Sequence, residues 1–191
     1  IGANYDKNQK DASGGTSKSA TSGSLVSPPI NLTNAESARL NFWVWWEVEG
    51  VDVDRYDMMY VEVSTDNGLT FGNKPFARLN PLNDVDGESW RPYSSGGLGM
   101  TGQWQEVTLD LKPFVGNNVV LRFRFNTVDH LYNGFRGWLI DDVKVESQLI
   151  PTPPVITEVM PGAGATTSLI DVTGENFVTN AVVTLTGPVG G

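Results

Sequence analysis

A two-residue alternation of apolar and polar side chains is the pattern that most constrains how this chain folds. It recurs in segments 39–49, 58–64, 103–111 and 118–127, and turn sequences such as Asp66-Asn67-Gly68 punctuate the chain between them. This period is typical of strands with one buried face. No window of the sequence shows the i, i+3, i+4, i+7 spacing of an amphipathic helix at comparable quality. The sequence therefore predicts an all-β fold, specifically a jelly-roll β-sandwich.

The stretch Gly137–Val145, with the sequence GWLIDDVKV, is predicted to be the buried strand that closes this sandwich. Strict alternation would place Leu139, Asp141, Val143 and Val145 on one face, and Trp138, Ile140, Asp142 and Lys144 on the other. Asp is uncommon in strands, and a buried carboxylate needs a partner. A cation, an Arg or a set of backbone N–H groups could supply it, and we expect a bound ion.

The Trp-rich segment 39–49 is predicted to bury Leu40, Phe42, Val44 and Trp46 on one face. Its other face carries Trp43 and Trp45 and is unusually aromatic for a solvated surface. Either a further layer covers that face, which we favour because large apolar residues are usually buried, or the face is a ligand platform. We also expect Trp104 and Trp138 in the core.

Composition divides the chain into four parts. Residues 1–24 are rich in Gly, Ser, Asn and Lys and are predicted to be a flexible arm. Residues 25–148 form the predicted sandwich domain, and the Pro-rich segment 149–154 is typical of a linker. Residues 155–191 predict the first strands of a second domain, and a fragment this short is expected to be completed by further sequence or by another chain. The chain begins at Ile1, which we interpret as an internal or processed boundary.

Charge and composition disfavour several functions. The net charge is −9 without a cluster of Lys or Arg, so we expect no nucleic-acid partner. No apolar run approaches the ~20 residues of a membrane span, so no membrane insertion is predicted. One His and no Cys argue against a zinc site of the usual kind, and no G-x-S-x-G motif is present. We therefore predict that the chain is not an enzyme.

Five segments in series carry a resemblance to a known family: LVSPPINL, LNFWVWWEVE, YDMMYVEVSTDNGLTF, WQEVTLDLKPFVGNNVVLRFRFNT and GWLIDDVKV. Together they cover residues 25–145 and resemble the MAM-like jelly-roll domains of secreted bacterial proteins, as in immune-inhibitor-A-type metallopeptidases. The later segment PPVITEVMPGAGATTSLIDVTGENF resembles the start of an immunoglobulin-like IPT/TIG domain. The resemblance implies a secreted or cell-surface bacterial location.

The resemblance also implies a structural calcium ion held by Glu49, Asp57 and Asp141, because such domains bring these positions together. Calcium prefers carboxylate and carbonyl oxygens, which this set supplies. The alternative is that Asp141 or Asp142 accepts hydrogen bonds from backbone N–H groups or from Arg136.

Aromatic side chains in loops suggest a glycan ligand, because their faces stack on apolar sugar surfaces while polar neighbours bind hydroxyls. The predicted ligand-binding residues are Trp90, Tyr93, His130 and Tyr132. The expected function is a non-catalytic extracellular binding module for a glycan or surface protein. Two alternatives remain open: a self-associating subunit of a filament, sheath or surface layer, and a scaffold that steadies a protease domain.

Overall fold

A computed structural model describes residues 19–82, 91–160, 169–182 and 184. The described residues form twelve strands: β1 (Ser22–Val26), β2 (Ile30–Asn31), β3 (Ala35–Val48), β4 (Met58–Ser64), β5 (Ala77–Arg78), β6 (Tyr93–Ser94), β7 (Gly97–Leu98), β8 (Gln105–Asp110), β9 (Asn118–Asn126), β10 (Gly137–Leu149), β11 (Val155–Met160) and β12 (Asp171–Glu175). One 3₁₀ turn, Lys112–Phe114, follows β8. The chain divides into two compact units, one ending at Leu149 and the other beginning at Ile150.

Two antiparallel five-stranded sheets make up the first unit. The first sheet has the order β1-β9-β4-β5, with β2 also paired to β9. The second sheet has the order β10-β3-β6-β7, with β8 also paired to β3. The prediction of an all-β sandwich is confirmed, and the described part of the chain contains no α-helix.

Aromatic rings join the two sheets across the core. Phe42 of β3 meets Phe123 of β9 edge to face at 5.2 Å between ring centroids, and Phe123 meets Trp138 of β10 at 6.0 Å. The predicted inner face of β3 is confirmed, since all four of its members are buried. Each such side chain contributes about 1.5–3 kcal/mol by leaving water, so this seam supplies much of the stability of the unit.

Strand β10 departs from the predicted alternation. Asp141 pairs with Trp43 but Lys144 pairs with Asn41, so β10 carries one extra residue and forms a β-bulge. Asp142 adopts a left-handed backbone there, with φ of 48°. The extra residue reverses the faces beyond it, so Val145 packs against the core together with Ile140, although strict alternation would place them on opposite faces.

The predicted burial of Asp141 and Asp142 is therefore wrong, because both side chains lie exposed at the bulge. The backbone N–H of Asp142 donates to Asp141 Oδ1 at 2.8 Å, which is one of the alternatives considered for these acids. Arg136 does not pair with either of them and lies instead 3.5 Å from Glu47.

The predicted tryptophan positions are partly confirmed. Trp46 and Trp138 are buried, but Trp104 is 46% exposed, because it precedes β8 and lies outside the paired ladder. On the outer face of β3, Trp45 is covered, as the sequence analysis favoured for this face, whereas Trp43 is open to solvent.

The structure also bears on the ends of the sandwich domain. Residues 22–24 lie in β1, which pairs with β9, so the predicted arm reaches into the first sheet. Strand β10 continues through Leu149, the first residue of the predicted linker. In the second unit, β11 and β12 form an antiparallel two-stranded sheet. No helix within the described ranges is long and apolar enough to cross a membrane.

Candidate functional site

Two loops that cross between the sheets meet at one end of the sandwich. Residues 49–57 connect β3 of the second sheet to β4 of the first, and residues 127–136 connect β9 of the first sheet to β10 of the second. The pairing of Met58 with Asn126 places Asp57 beside the start of the second loop. We call Glu49, Asp52, Asp57 and Asp129, which these loops carry, the acidic loop cluster.

Glu49 and Asp57 are the buried members of this cluster, with exposed fractions of 2% and 0%. The backbone N–H of Glu49 donates to Asp57 Oδ2 at 2.9 Å. The other carboxylate oxygen, Asp57 Oδ1, is buried and has no hydrogen-bond partner among the described residues. Asp57 also has a left-handed backbone with φ of 50°, a conformation that non-glycine residues seldom adopt away from sites under constraint. Two buried acids and one unpartnered oxygen therefore converge at this end.

The pKa values of both acids are raised. Burial raises the pKa of Glu49 to about 9, and the neighbouring charges of Asp57, Asp129 and Asp52 add to the effect. Burial also raises the pKa of Asp57 to about 7, opposed by the N–H of Glu49 and assisted by the charge of Asp129. Because the surroundings disfavour both negative charges, the cluster requires either protons or a cation.

Asn80 holds the first loop in place. Its side-chain Oδ1 accepts from the backbone N–H of Met59 at 2.7 Å, and its Nδ2 donates to the carbonyl oxygens of Val53, Tyr56 and Asp57 at 3.4, 3.3 and 3.1 Å. One buried amide thus fixes the backbone that carries Asp57.

Thr127 and Asn133 hold the second loop. Thr127 Oγ1 and Asn133 Nδ2 both donate to the carbonyl oxygen of Asp129 at 2.9 Å. The carboxylate of Asp129 accepts from the backbone N–H of Leu131 at 2.8 Å. Both loops therefore present their acids from hydrogen-bonded frames.

The donor set fits a hard cation such as calcium, which takes carboxylate and carbonyl oxygens. The unpartnered, buried Asp57 Oδ1 is the observation that supports this fit. Over the described ranges, however, no three His, Asp or Glu side chains are grouped closely enough to hold a metal by themselves. A cation here would need backbone carbonyl or water oxygens in addition to Glu49 and Asp57.

Of the three predicted calcium ligands, the structure brings together Glu49 and Asp57 but not Asp141. Asp141 pairs with Trp43 of β3, and Glu49 follows the end of that strand, six residues beyond Trp43, which corresponds to about 20 Å of extended chain. The expectation that Asp141 shares their site is wrong for that reason.

The predicted glycan-binding residues are dispersed. Tyr93, half-buried in β6, stacks on Trp46 with 5.5 Å between ring centroids, so its ring anchors the strand. His130 is exposed and Tyr132 half-buried in the loop between β9 and β10, where Tyr132 has a φ of 51°. Trp90 lies outside the described residues. Their role in ligand binding stays a prediction.

Sequence reasoning missed Asn80, Thr127, Asp129 and Asn133. All four are polar residues in the segments between strands, where they are easily taken for solvated loop residues. The only available signal was the position of Thr127 and Asp129 directly after a strongly alternating strand.

Comparisons with known proteins give distant likenesses. No protein-family model matches this sequence, and no curated protein matches it either. The K1 cleaved adhesin domain of Lys-gingipain from Porphyromonas gingivalis W83 is similar in structure, with a TM-score of 0.41 and 17% identity, over 65% of this chain and 63% of that one. The K3 cleaved adhesin domain of the same protein has a TM-score of 0.36 and 17% identity, over 64% of this chain and 59% of that one. The chain thus spans less than two thirds of either structure, and the resemblance to MAM-like and IPT/TIG domains stays a prediction.

Proposed function

We propose that the first unit is a non-catalytic, extracellular binding module of a secreted or cell-surface bacterial protein. It is stabilised by a calcium ion at the acidic loop cluster, and its ligand is a glycan. The observation that carries the calcium assignment is the buried, unpartnered Asp57 Oδ1 beside the buried carboxylate of Glu49.

A cation at this end would act as a cross-link. The two loops of the cluster both pass from one sheet to the other, so an ion bound by Glu49, Asp57 and the second loop would fasten the sheets together. The sequence contains no Cys and cannot use disulfides for this purpose. An ion that neutralises the cluster would also remove the electrostatic cost of its buried charges.

A raised pKa is also typical of catalytic acids, so the cluster could be either a structural cation site or a catalytic site. Asp57 is completely buried, and one of its oxygens is occupied by the N–H of Glu49, so it is poorly placed to reach a substrate. The single His, His130, is exposed in a loop with no Cys available as a partner. These features favour a structural role for the cluster.

The calcium assignment is tested by thermal unfolding of the purified chain with calcium and with a chelator. Calcium at about 100 times its Kd should raise Tm by roughly 5–10 °C. Glu49→Gln and Asp57→Asn should abolish this shift, whereas Glu36→Gln, which alters an exposed acid in the same unit, should leave it intact. An unchanged Tm in the unaltered chain would contradict the assignment.

The glycan assignment is tested separately by probing a glycan array with the calcium-loaded chain. Reproducible binding to one class of sugar is expected. Binding to no sugar, in a chain that still responds to calcium, would contradict the glycan ligand alone.

A second candidate function is a subunit of an extracellular assembly. Its supporting observation is that β11 and β12 leave large apolar side chains exposed, including Ile156, Met160 and the nearby Phe177. Such surfaces are typical of association sites. Sedimentation over a range of concentrations would show reversible assembly if this function is correct, and a monomer throughout if it is not.

A further inference from the structure

On the outer face of the first sheet, arginine side chains cover half-buried aromatic rings. The guanidinium of Arg124 lies 4.5 Å from the ring centroid of Tyr60, and that of Arg122 lies 3.9 Å from the ring of Phe71. Both arginines donate to the carboxylate of Glu62, Arg122 at 2.6 Å and Arg124 at 2.9 Å. The arrangement combines an aromatic face, an acid and a guanidinium, which is a favourable combination because the cation interacts with both neighbours.

The same combination occurs on one half of the outer face of the second sheet. The guanidinium of Arg136 lies 5.5 Å from the ring of Trp45, and its Nε lies 3.5 Å from Glu47. The backbone of Gly102 covers the same ring so closely that a Cβ there would lie 2.5 Å from it. In this half of the face the aromatic ring therefore has its acid and its guanidinium, and it is covered from solvent.

The other half, around Trp43, lacks the cation. Trp43 is 39% exposed and pairs with Glu106 of β8 on one side and Asp141 of β10 on the other. Cross-strand neighbours at these positions lie about 5 Å apart, so both acids flank the indole. Within the described ranges no Lys or Arg covers Trp43, Glu106 has no ion pair, and Asp141 accepts only the N–H of Asp142. An exposed indole thus stands between two uncompensated carboxylates.

A row of polar side chains continues from Trp43 along the outer face of β3. Asn41 comes first, and its Oδ1 accepts from Thr108 at 2.8 Å. Lys144 lies beside Asn41 and pairs with Glu146, and Arg39, the next residue of the row, faces Asp110 and Glu146. Acids therefore match both cations of this row, which leaves Glu106 and Asp141 as its unmatched charges. Ser37 lies at the far end, where its hydroxyl donates to Gln148 at 3.1 Å beside a shallow depression of about 240 Å³. From Trp43 to Ser37 the row is about 20 Å long, and Asn41 and Ser37 are already oriented by hydrogen bonds.

We propose that this surface, which we call the Trp43 face, binds a glycan composed of amino sugars with free amino groups. One sugar ring stacks on Trp43, its ammonium group lies beside one of the flanking acids, Glu106 or Asp141, and the following rings place their hydroxyls along the row towards Ser37. The inference rests on the proposed glycan-binding function and specifies the face and the class of sugar.

The surroundings of Trp43 favour this ligand over others. A ligand with acid groups would meet two unneutralised carboxylates, which would repel it. A basic protein partner would supply the cation, but protein interfaces usually have an apolar core, and the row beyond Trp43 is polar. A glycan provides an apolar ring face, a cation and many hydroxyls on one flat chain, and the Trp43 face offers a counterpart for each.

Calorimetric titration of the full chain, in calcium-containing buffer at about pH 6, where sugar amines are charged, tests the inference. The probes are hexamers of glucosamine, N-acetylglucosamine and galacturonic acid, and hexalysine. We expect the glucosamine hexamer to bind most tightly, its acetylated form to bind several-fold more weakly, and the galacturonic acid hexamer not to bind. Trp43→Ala should weaken glucosamine binding at least about tenfold, as expected for a central Trp. The double variant Glu106→Gln with Asp141→Asn should erase the preference for the free amine.

Tyr60→Ala, which removes an aromatic ring from the opposite sheet, is the matched control and should leave binding unchanged. Equal binding of both glucosamine hexamers, or unaltered binding by Trp43→Ala, would overturn the inference. Binding of hexalysine without any glucosamine binding would also overturn it and would indicate a basic peptide ligand instead. If a glycan array detects a sugar whose binding survives Trp43→Ala, this inference fails while the proposed function stands. If no sugar binds at all, the proposed glycan ligand fails as well.

Discussion

Raising the pH from about 5 to about 8 should destabilise the calcium-free protein, because the folded chain holds protons that the unfolded chain releases. The pKa of Glu49 is about 9 in the folded state, against 4.5 for an ordinary Glu. A carboxyl whose pKa is raised by folding contributes fully below its unfolded pKa, and the contribution is lost as pH rises towards the folded value. Over three pH units, at 1.36 kcal/mol each, Glu49 alone accounts for about 4 kcal/mol.

Deprotonation of Asp57 also lowers the stability of the calcium-free protein as pH rises, but over a lower pH range. Its pKa rises from 3.8 to about 7, so most of its loss is complete near neutrality. It adds about 2–3 kcal/mol between pH 5 and 8. Together the two acids give an upper value of about 6 kcal/mol for the loss of unfolding free energy between pH 5 and 8, which is a large part of the stability of a typical domain.

Urea unfolding of the chelator-treated protein at several pH values measures this effect. The free energy of unfolding should fall steadily between about pH 5 and 8, and excess calcium should remove most of the fall, because the ion replaces the protons. Glu49→Gln should reduce the fall of the calcium-free protein to the smaller part that Asp57 supplies, whereas Glu36→Gln should reproduce the unaltered curve. A stability that is constant or rises over this range would refute the assignment of buried, protonated acids at the loop cluster.

Three further substitutions test other parts of the structure. Asn80→Leu should lower the free energy of unfolding by about 3 kcal/mol in urea, because it leaves four buried backbone groups without their partner; a loss below about 1 kcal/mol would contradict its role in the loop. Gly102→Ala should lower Tm, at a cost of about 1–3 kcal/mol, because the new Cβ would lie 2.5 Å from the ring of Trp45; an unchanged Tm would show that the contact is not tight. The pKa of Glu62 is lowered because hydrogen bonds from its two arginine partners outweigh the effect of burial, so its contribution to stability is present above about pH 4.5 and lost as pH falls. Glu62→Gln should therefore reduce the loss of stability at acidic pH. The same loss in the variant and the unaltered chain would contradict the pairing.

The strands of the sandwich could be predicted because their alternation is local. Segments such as Asn118–Asn126 carry an apolar residue at every second position, and the structure buries those residues as expected. The four-residue inner face of β3 was readable in the same way. Each of these predictions depends only on neighbours two residues apart in sequence.

The errors arise where an outcome depends on a contact distant in sequence. The bulge at Asp142 inserts one residue relative to β3, and no feature of GWLIDDVKV reveals its partner's register. Asp57 and Asp129 are 72 positions apart, and only the pairing of β4 with β9 brings their loops together. Trp43 and Trp45 share one face by alternation, but Arg136 and Gly102, from two other segments, cover only Trp45.

Calorimetric titration of calcium into the metal-free chain near pH 7, repeated in buffers of different ionisation enthalpy, tests the central claim most directly. Glu49 should be protonated before binding and Asp57 about half protonated, so one calcium ion should displace about 1.5 protons. The account predicts one binding event per chain whose heat depends on the buffer, and no such event in Glu49→Gln. The absence of saturable binding, or binding whose heat is the same in every buffer, would contradict it.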